Sequence, residues 1–271
     1  MKKPRFSIIT CTYNPKAEYL DRALESLEKQ TFKNIEHIIN DSRSNRVTLL
    51  ILQDYIKRNK NKYPIKFFQT KPKGVAKALN DASKHATGEL IHFLHSDDYY
   101  HDKNSLKRAD SYITKGTNWI TGNFIFSYRD KEFSVPITKL IKINPKRLLS
   151  TFTFISHENT FMRTELIKKY GGFAENVKGP VELRLWIRMI QKEKLKLVDD
   201  VFTVFTIHKG STSRGGVKNA LLSIKEGLKI AQEEGTLPLS KPLKNFTQTK
   251  KTLQKLLDYV LLNNSNNHNS K

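Results

Sequence analysis

Cysteine is almost absent from this chain. Cys11 stands alone, which excludes an internal disulfide framework and a cysteine-based metal site. No run of about 18 apolar residues occurs, so no helix is expected to span a membrane. The opening Met1-Lys2-Lys3-Pro4-Arg5 leads into an apolar stretch too short and too quickly broken for a signal peptide, and a cytoplasmic location is expected. Internal repeats are lacking, and so is the glycine-rich basic loop after the first strand that a nucleotidyltransferase would need. Acidic residues are scarce: 26 Asp and Glu face 48 Lys and Arg, a formal net charge of +22. Such an excess repels itself unless an anion offsets it. Nucleic acid, the anionic face of a membrane and phosphate-bearing substrates are the three candidates. The lysines are spread along the whole chain rather than gathered in one arm, and a Lys- and Asn-rich proteome would account for part of them.

What the sequence does contain is organised around Gly88 to Tyr100. Leu90 to Leu94 is an apolar run of strand length, as a sheet buried on both faces requires, and it stops at the adjacent carboxylates Asp97 and Asp98. Ligands gather outside the carboxyl ends of strands in open α/β sheets. Two neighbouring aspartates there suit magnesium or manganese carrying a substrate phosphate. The plainer reading makes either aspartate a cap for a helix starting near Asp102. Upstream, strands are predicted at Phe6–Thr10, Ile35–Ile39 and Ile65–Phe68. Helices are predicted around Leu20–Gln30, Val47–Arg58 and Ala76–His85. This alternation with short connections predicts a doubly wound, mostly parallel sheet of the α/β class.

Beyond Tyr100 the spacing predicts a helix over Ser105–Ile113, one strand over Trp119–Phe126, and mixed structure over 127–150. Short strands are expected at Phe152–His157 and Asn159–Met162, with a turn at Gly171-Gly172-Phe173. A helix over Val181–Gln191 carries Leu183, Trp186, Ile187 and Ile190 on one face. Strands Leu195–Val198 and Val201–Phe205 close the domain. The expected organisation is a catalytic domain over 1–215 and a basic, amphipathic helical extension over 216–271 with a disordered end. Apolar stripes at Leu221, Ile224, Leu228 and Ala231, and at Leu253 to Leu261, are flanked by lysines. They read either as faces packed on the domain or as contacts to a membrane surface.

Several of these residues, taken in order, resemble the family 2 glycosyltransferases. Thr12-Tyr13-Asn14 after the first strand, and Ile35 to Asp41 with Ser44, are similar to the family's two opening segments. Gly74, Ala78, Asn80, Ala86-Thr87-Gly88-Glu89 and Phe93 to Asp98 resemble its central block. His157-Glu158, Gly171-Gly172-Phe173 and Leu185 to Arg188 after Glu182 resemble its acceptor-side half. The resemblance covers roughly residues 5 to 213. It implies a GT-A (nucleotide-diphospho-sugar transferase) fold and inverting transfer of a sugar from a nucleotide donor.

On that resemblance, Thr12, Tyr13, Asp41 and Asp97 bind the nucleotide, with Tyr13 stacking on the base and Asp41 bonded to it in the manner of uracil recognition. Asp97, Asp98 and His208 are the expected ligands of Mn²⁺ or Mg²⁺, which would stabilise the departing diphosphate. Glu182 is the expected general base, since the attacking hydroxyl must lose its proton on the far side of the sugar. Its competing reading is a first-turn charge favoured by the helix dipole. His157, Glu158 and Trp186 are expected on the acceptor or donor-sugar side. The chain departs from the family pattern at His95, which replaces the first carboxylate of the DXD motif, at Arg46, and at Val181. The expected partners are a UDP-sugar and a saccharide or lipid-linked glycan acceptor in surface polysaccharide or lipopolysaccharide synthesis. A peripheral position at the inner membrane face would give the basic surface a rationale, and nucleic acid is not expected as a partner. The alternative is a degenerate transferase serving as a basic scaffold for membrane or nucleic acid.

Overall fold

The first half of the chain alternates as its hydrophobic spacing dictates: β1 (Phe6–Thr12), α1 (Ala17–Glu28), β2 (Ile35–Asp41), α2 (Arg46–Asn59), β3 (Ile65–Gln69), α3 (Val75–Ser83) and β4 (Leu90–Phe93). There follow β5 (Tyr99–Tyr100), α4 (Ser105–Tyr112), β6 (Trp119–Thr121), β7 (Phe124–Tyr128), β8 (Lys131–Val135), a 3-10 turn (His157–Asn159) and β9 (Thr160–Arg163). Then come α5 (Thr164–Lys169), α6 (Leu183–Lys192), β10 (Leu195–Leu197) and β11 (Thr203–Ile207), and helical backbone recurs at 226–227 and 229–233. The structure, a computed structural model, describes residues 3–128, 131–135, 138, 155–177, 180–208, 226–227 and 229–236. Of the strand expected at Phe152–His157, residues 152–154 lie outside the described residues, as does most of the basic extension with its second apolar stripe, and residues 155–157 are not strand.

Seven strands form the main sheet in the order β10-β6-β9-β4-β1-β2-β3. β3, β2, β1 and β4 run parallel, and β9 enters antiparallel between β4 and β6. Successive side chains point to opposite faces. Ile9 and Ile38 accordingly join the core under α3 and α6, while Ile8 packs with Leu27 and Leu106, and Ile39 with Leu20 and Leu52. Both faces of the central strands are thus covered, which is why apolar residues dominate both, with buried polar residues such as Glu36, His37 and His92 among them.

The single strand expected over Trp119–Phe126 is instead two strands in different sheets. It breaks at Gly122-Asn123, where the Gly122 N–H bonds to Asn159 O at 3.1 Å and the Asn123 N–H to Asp200 O at 2.7 Å. A Cβ at Gly122 would lie 2.5 Å from Asp200 O, so the crossing needs glycine. Beyond it, β7 joins a second sheet, β5-β11-β7-β8. His157, expected at a strand end, lies in the 3-10 turn.

The position of β4 is set by a buried carboxylate. Glu36 Oε1 accepts from Ser7 Oγ at 2.6 Å, from the Thr87 N–H at 2.6 Å and from the Gly88 N–H at 2.9 Å. Lys66 Nζ neutralises it at 2.8 Å. A Cβ on Gly88 would stand 2.7 Å from Ser7 N, so only glycine lets β4 start this close to β1. The segment 229–236 docks on α6: Ile230 and Ala231 are buried, and Glu234 bridges Arg184 at 2.9 Å and Arg188 at 2.8 Å. Among the described residues no helix is long and apolar enough to cross a membrane.

Two histidines are fully buried in this frame. His37 sits between Tyr55 Oη (2.9 Å) and Thr10 Oγ1 (3.0 Å), and His92 stacks on Phe161 at 4.0 Å. Burial holds each down to about 3. The unfolded chain takes up both protons below about pH 6.5 and the folded chain does not until near pH 3. Stability is therefore complete above pH 6.5 and falls on acidification, by roughly 1.4 kcal/mol per pH unit for each ring. Urea unfolding should show this fall between pH 6 and pH 4, and His37→Gln should shallow it. A flat profile in both proteins would contradict the assignment.

Candidate active site

β1, β2 and β4 are parallel, so their carboxyl ends meet at one edge of the sheet. Thr12 pairs in register with Asp41 at that edge. The Asp41 carboxylate accepts from Thr12 Oγ1 (2.7 Å), Gln69 Nε2 (2.7 Å) and the Ser44 N–H (3.0 Å). Burial would raise its pKa, but these donors outweigh that and hold the group ionised, below the usual carboxylate range. A carboxylate offers about four lone-pair sites, and with the Ser44 side chain also bonded to it these are filled from within the protein. The following loops are clipped together, with the Asn14 N–H on Ser44 Oγ at 2.9 Å and the Asn45 N–H on Asn14 Oδ1 at 2.7 Å. Tyr13 presents its ring to solvent beside them, 62% exposed.

After β4, the chain turns through Asp97 and Asp98. Neither caps α4, whose entry is organised by Asp102 Oδ1 accepting the Asn104 N–H at 2.7 Å. Asp98 points inward: Oδ1 accepts the Thr206 N–H of β11 at 2.8 Å, and Oδ2 is buried without a hydrogen-bond partner. Burial first, and then the charge of Asp97, push its carboxyl well above the usual range. Asp97 behaves differently. Its Oδ2 lies 3.0 Å from His208 Nε2, and His208 packs against the Tyr19 ring at 4.8 Å. Of the three expected metal ligands, Asp97 and His208 are brought together while Asp98 ties the loop to the second sheet. A carboxylate and an imidazole converging from two elements, next to an orphaned buried carboxyl oxygen, fit a divalent cation that takes its other ligands from a diphosphate.

The other half of the cleft is carried by the 3-10 turn and α6. His157 Nε2 lies 3.2 Å from Glu158 Oε1, and His157 Nδ1 lies 3.8 Å from Glu182 Oε2. Glu182 occupies the N-cap position of α6, makes no side-chain cap bond there and is 13% exposed. Its carboxyl is pushed up to about 8, chiefly by burial. The imidazole of His157 is pushed down to about 4 by burial. Burial alone would raise the neighbouring Glu158, but the His157 and His95 rings outweigh it and hold the carboxyl low. Trp186 does not face a sugar. It is fully buried, stacks on Trp119 at 5.5 Å and donates Nε1–H to Ile155 O at 3.0 Å, so it supports the segment that carries His157.

The profile of "Glycosyl transferase family 2" matches residues 7–171, more than half of the chain, including Thr12, Tyr13, Asp41, Asp97 and Asp98. The chain belongs to that family. Among curated relatives, the GalNAc(5)-diNAcBac-PP-undecaprenol beta-1,3-glucosyltransferase of Campylobacter jejuni is 28% identical over 266 residues, 94% of this chain and 82% of its own. The poly(ribitol-phosphate) beta-N-acetylglucosaminyltransferase TarS of Staphylococcus aureus is 38% identical over 111 residues, 40% of this chain. That match spans only 19% of the length of TarS. A crystal structure of S. aureus TarS 1-349 in complex with UDP-GlcNAc superposes with a TM-score of 0.66 at 24% identity, covering 94% of this chain and 72% of that one. The mannosyltransferase PcManGT from Pyrobaculum calidifontis, in complex with GDP-Man and Mn²⁺, gives 0.63 at 17% identity over 96% and 83%. The fold is GT-A.

For a family 2 glycosyltransferase, sequence reasoning overlooked three supports of the site. Gln69 reaches Asp41 because the two are paired in register across β2 and β3, a relation visible only once the strands are aligned. Arg22, on α1, donates to Asp97 O (3.4 Å) and Thr206 Oγ1 (2.7 Å) and lies 4.1 Å over the Tyr99 ring. It fastens the aspartate loop from outside the sheet, and no local pattern marks it. Ser156 donates to Glu158 Oε2 and orients that carboxylate.

Proposed function

We propose that this chain transfers a sugar, with inversion, from a UDP-linked donor to a hydroxyl of a saccharide or lipid-linked glycan. One observation carries the reading: an ionised, donor-saturated Asp41 beside an exposed Tyr13 at the carboxyl ends of β1 and β2. Asp41 is assigned as the acceptor of a ring N–H such as uracil supplies, which would replace one of its internal donors, while Tyr13 offers a stacking face. A divalent cation held by Asp97 and His208 would neutralise charge on the diphosphate as it leaves. Glu182 takes the proton of the acceptor hydroxyl. The bond from the anomeric carbon to the diphosphate oxygen breaks as the bond to the acceptor oxygen forms, on the opposite face of the sugar. Nucleotide sugars are named with the S. aureus and P. calidifontis structures, and a lipid-linked glycan is named for the C. jejuni relative; both support the choice of substrates.

The Asp41 assignment is tested by UDP titration. A hydrogen bond to a charged group contributes about 1.5–3 kcal/mol, so Asp41→Asn should weaken UDP binding roughly 10- to 100-fold. Gln69→Ala, which only loosens the carboxylate, should weaken it less. Undiminished UDP affinity in folded Asp41→Asn would remove the base-recognition role.

A further inference from the structure

Three potential ligand atoms converge behind the aspartate loop and are not used by the reaction described above. They are His95 Nε2, His157 Nε2 and Glu158 Oε1, all within 4.8 Å of one another. The two imidazole nitrogens point at each other, closer than a normal hydrogen bond, and Glu158 Oε1 lies 3.7 Å from the first and 3.2 Å from the second. Two donors bound tetrahedrally to one ion at 2.0–2.1 Å stand about 3.3 Å apart; the carboxylate–imidazole separations are close to this, and the two imidazoles, which are closer, would part to admit the ion. A shared proton can join only two of the three atoms. A cation can satisfy all three.

The surroundings are arranged as around a metal rather than around a salt link. Ser156 Oγ occupies Glu158 Oε2, which leaves Oε1 to face the histidines. The His157 ring is packed edge-on against Phe93 (6.4 Å) and Phe173 (6.0 Å), which fixes its plane. Its outer nitrogen, Nδ1, is buried and has no hydrogen-bond partner, yet the Glu182 carboxyl stands 3.8 Å away. A ligating imidazole with its second nitrogen turned to a carboxylate is the usual support of a histidine-bound metal. Two imidazoles and one carboxylate form a softer set than the Asp97–His208 pair and favour zinc over magnesium or calcium.

We infer that His95, His157 and Glu158 form a second cation site, selective for a zinc-class transition-metal ion and separate from the Asp97–His208 pair. The ion would fasten the loop after β4 to the 3-10 turn, with the remaining coordination position taken by water or by a substrate oxygen. The replacement of an acidic residue by His95 then adds a ligand to this site instead of merely weakening the DXD motif. The inference does not depend on sugar transfer, because the site binds its ion whether or not the chain is an active transferase.

The test uses the whole chain, stripped with chelator and titrated calorimetrically with Zn²⁺. One ion should bind, and X-ray absorption of the zinc-loaded protein should report two imidazole ligands. His95→Ala should weaken zinc binding roughly 10- to 100-fold or more, a loss that even a supporting residue of a metal site can produce. Asp97→Asn should leave zinc affinity largely unchanged. The absence of zinc binding, a spectrum with one imidazole or none, or zinc affinity that survives His95→Ala but falls with Asp97→Asn would each overturn the site. The absorption measurement needs no variant, so a folding defect in His95→Ala would not shield the inference.

Discussion

Glu182→Gln is expected to lower the rate of sugar transfer by roughly 10²- to 10⁴-fold, the range that general-base assistance supplies. The substitution keeps size and hydrogen bonding but cannot accept a proton. UDP affinity should barely change, because Asp41 and Tyr13 belong to the other half of the cleft. The pH dependence carries a second signature. A base must be ionised, and the Glu182 carboxyl is pushed up to about 8 by burial. In the free enzyme kcat/KM should therefore rise with pH and level off above about 8, and this rise should vanish in Glu182→Gln. If Glu158 were the base, the rise would lie far lower, since its carboxyl is held below the usual range.

The same burial has a stability consequence of opposite sign. The folded pKa lies above the unfolded value of about 4.5, so between these pH values the folded state binds the extra proton. Its advantage is full below pH 4.5 and is lost as pH rises toward 8. Relative to a neutral residue, an ionisable Glu182 costs the fold on the order of 3 kcal/mol at pH 7. Glu182→Gln should thus be inactive yet more resistant to urea at neutral pH than the parent, as expected where function opposes stability. An inactive and destabilised variant would mark the residue as structural, and a stable variant with near-normal transfer would move the base to Glu158.

Asp97→Asn should abolish the stimulation of UDP binding by Mn²⁺ and reduce transfer by roughly 10²- to 10³-fold, the scale of losing one fixed electrostatic contact to a developing charge. Its side chain is 28% exposed and its carboxylate meets His208 at 3.0 Å, so the fold should survive. Asp98 is the poorer probe. Its carboxyl accepts the buried Thr206 N–H, and Asp98→Ala would strand that donor and loosen the second sheet. Mn²⁺-dependent UDP affinity that persists in Asp97→Asn would place the cation elsewhere in the cleft.

The sheet was readable because its central strands are buried on both faces and leave short, mostly apolar runs at Phe6–Thr10, Ile35–Ile39 and Leu90–Leu94, with Glu36, His37 and His92 among the buried polar exceptions. The place of Asp41, Asp97 and Asp98 at or just beyond the carboxyl ends of parallel strands was readable for the same reason. What depends on chain reversal was not readable. Trp119–Phe126 looks like one strand because nothing local reveals that Asp200 O will close against Gly122. His95 and His157 are 62 positions apart and meet only because the residues before β9 return alongside β4. Trp186 shows the limit of family likeness. It lies on the apolar stripe of α6, and the periodicity that located the helix also marked the residue as core.

The most direct test of sugar transfer is UDP release from a panel of sugar nucleotides, with Mn²⁺ present and then removed by chelator. The assay should include a saccharide or lipid-linked acceptor and the Glu182→Gln protein as control. The account predicts metal-dependent release from at least one UDP-sugar, accelerated by acceptor and nearly lost in Glu182→Gln. Failure to bind or cleave any sugar nucleotide, in a folded protein that still binds anionic vesicles or DNA in a salt-dependent way, would contradict it and leave a basic scaffold on a transferase fold.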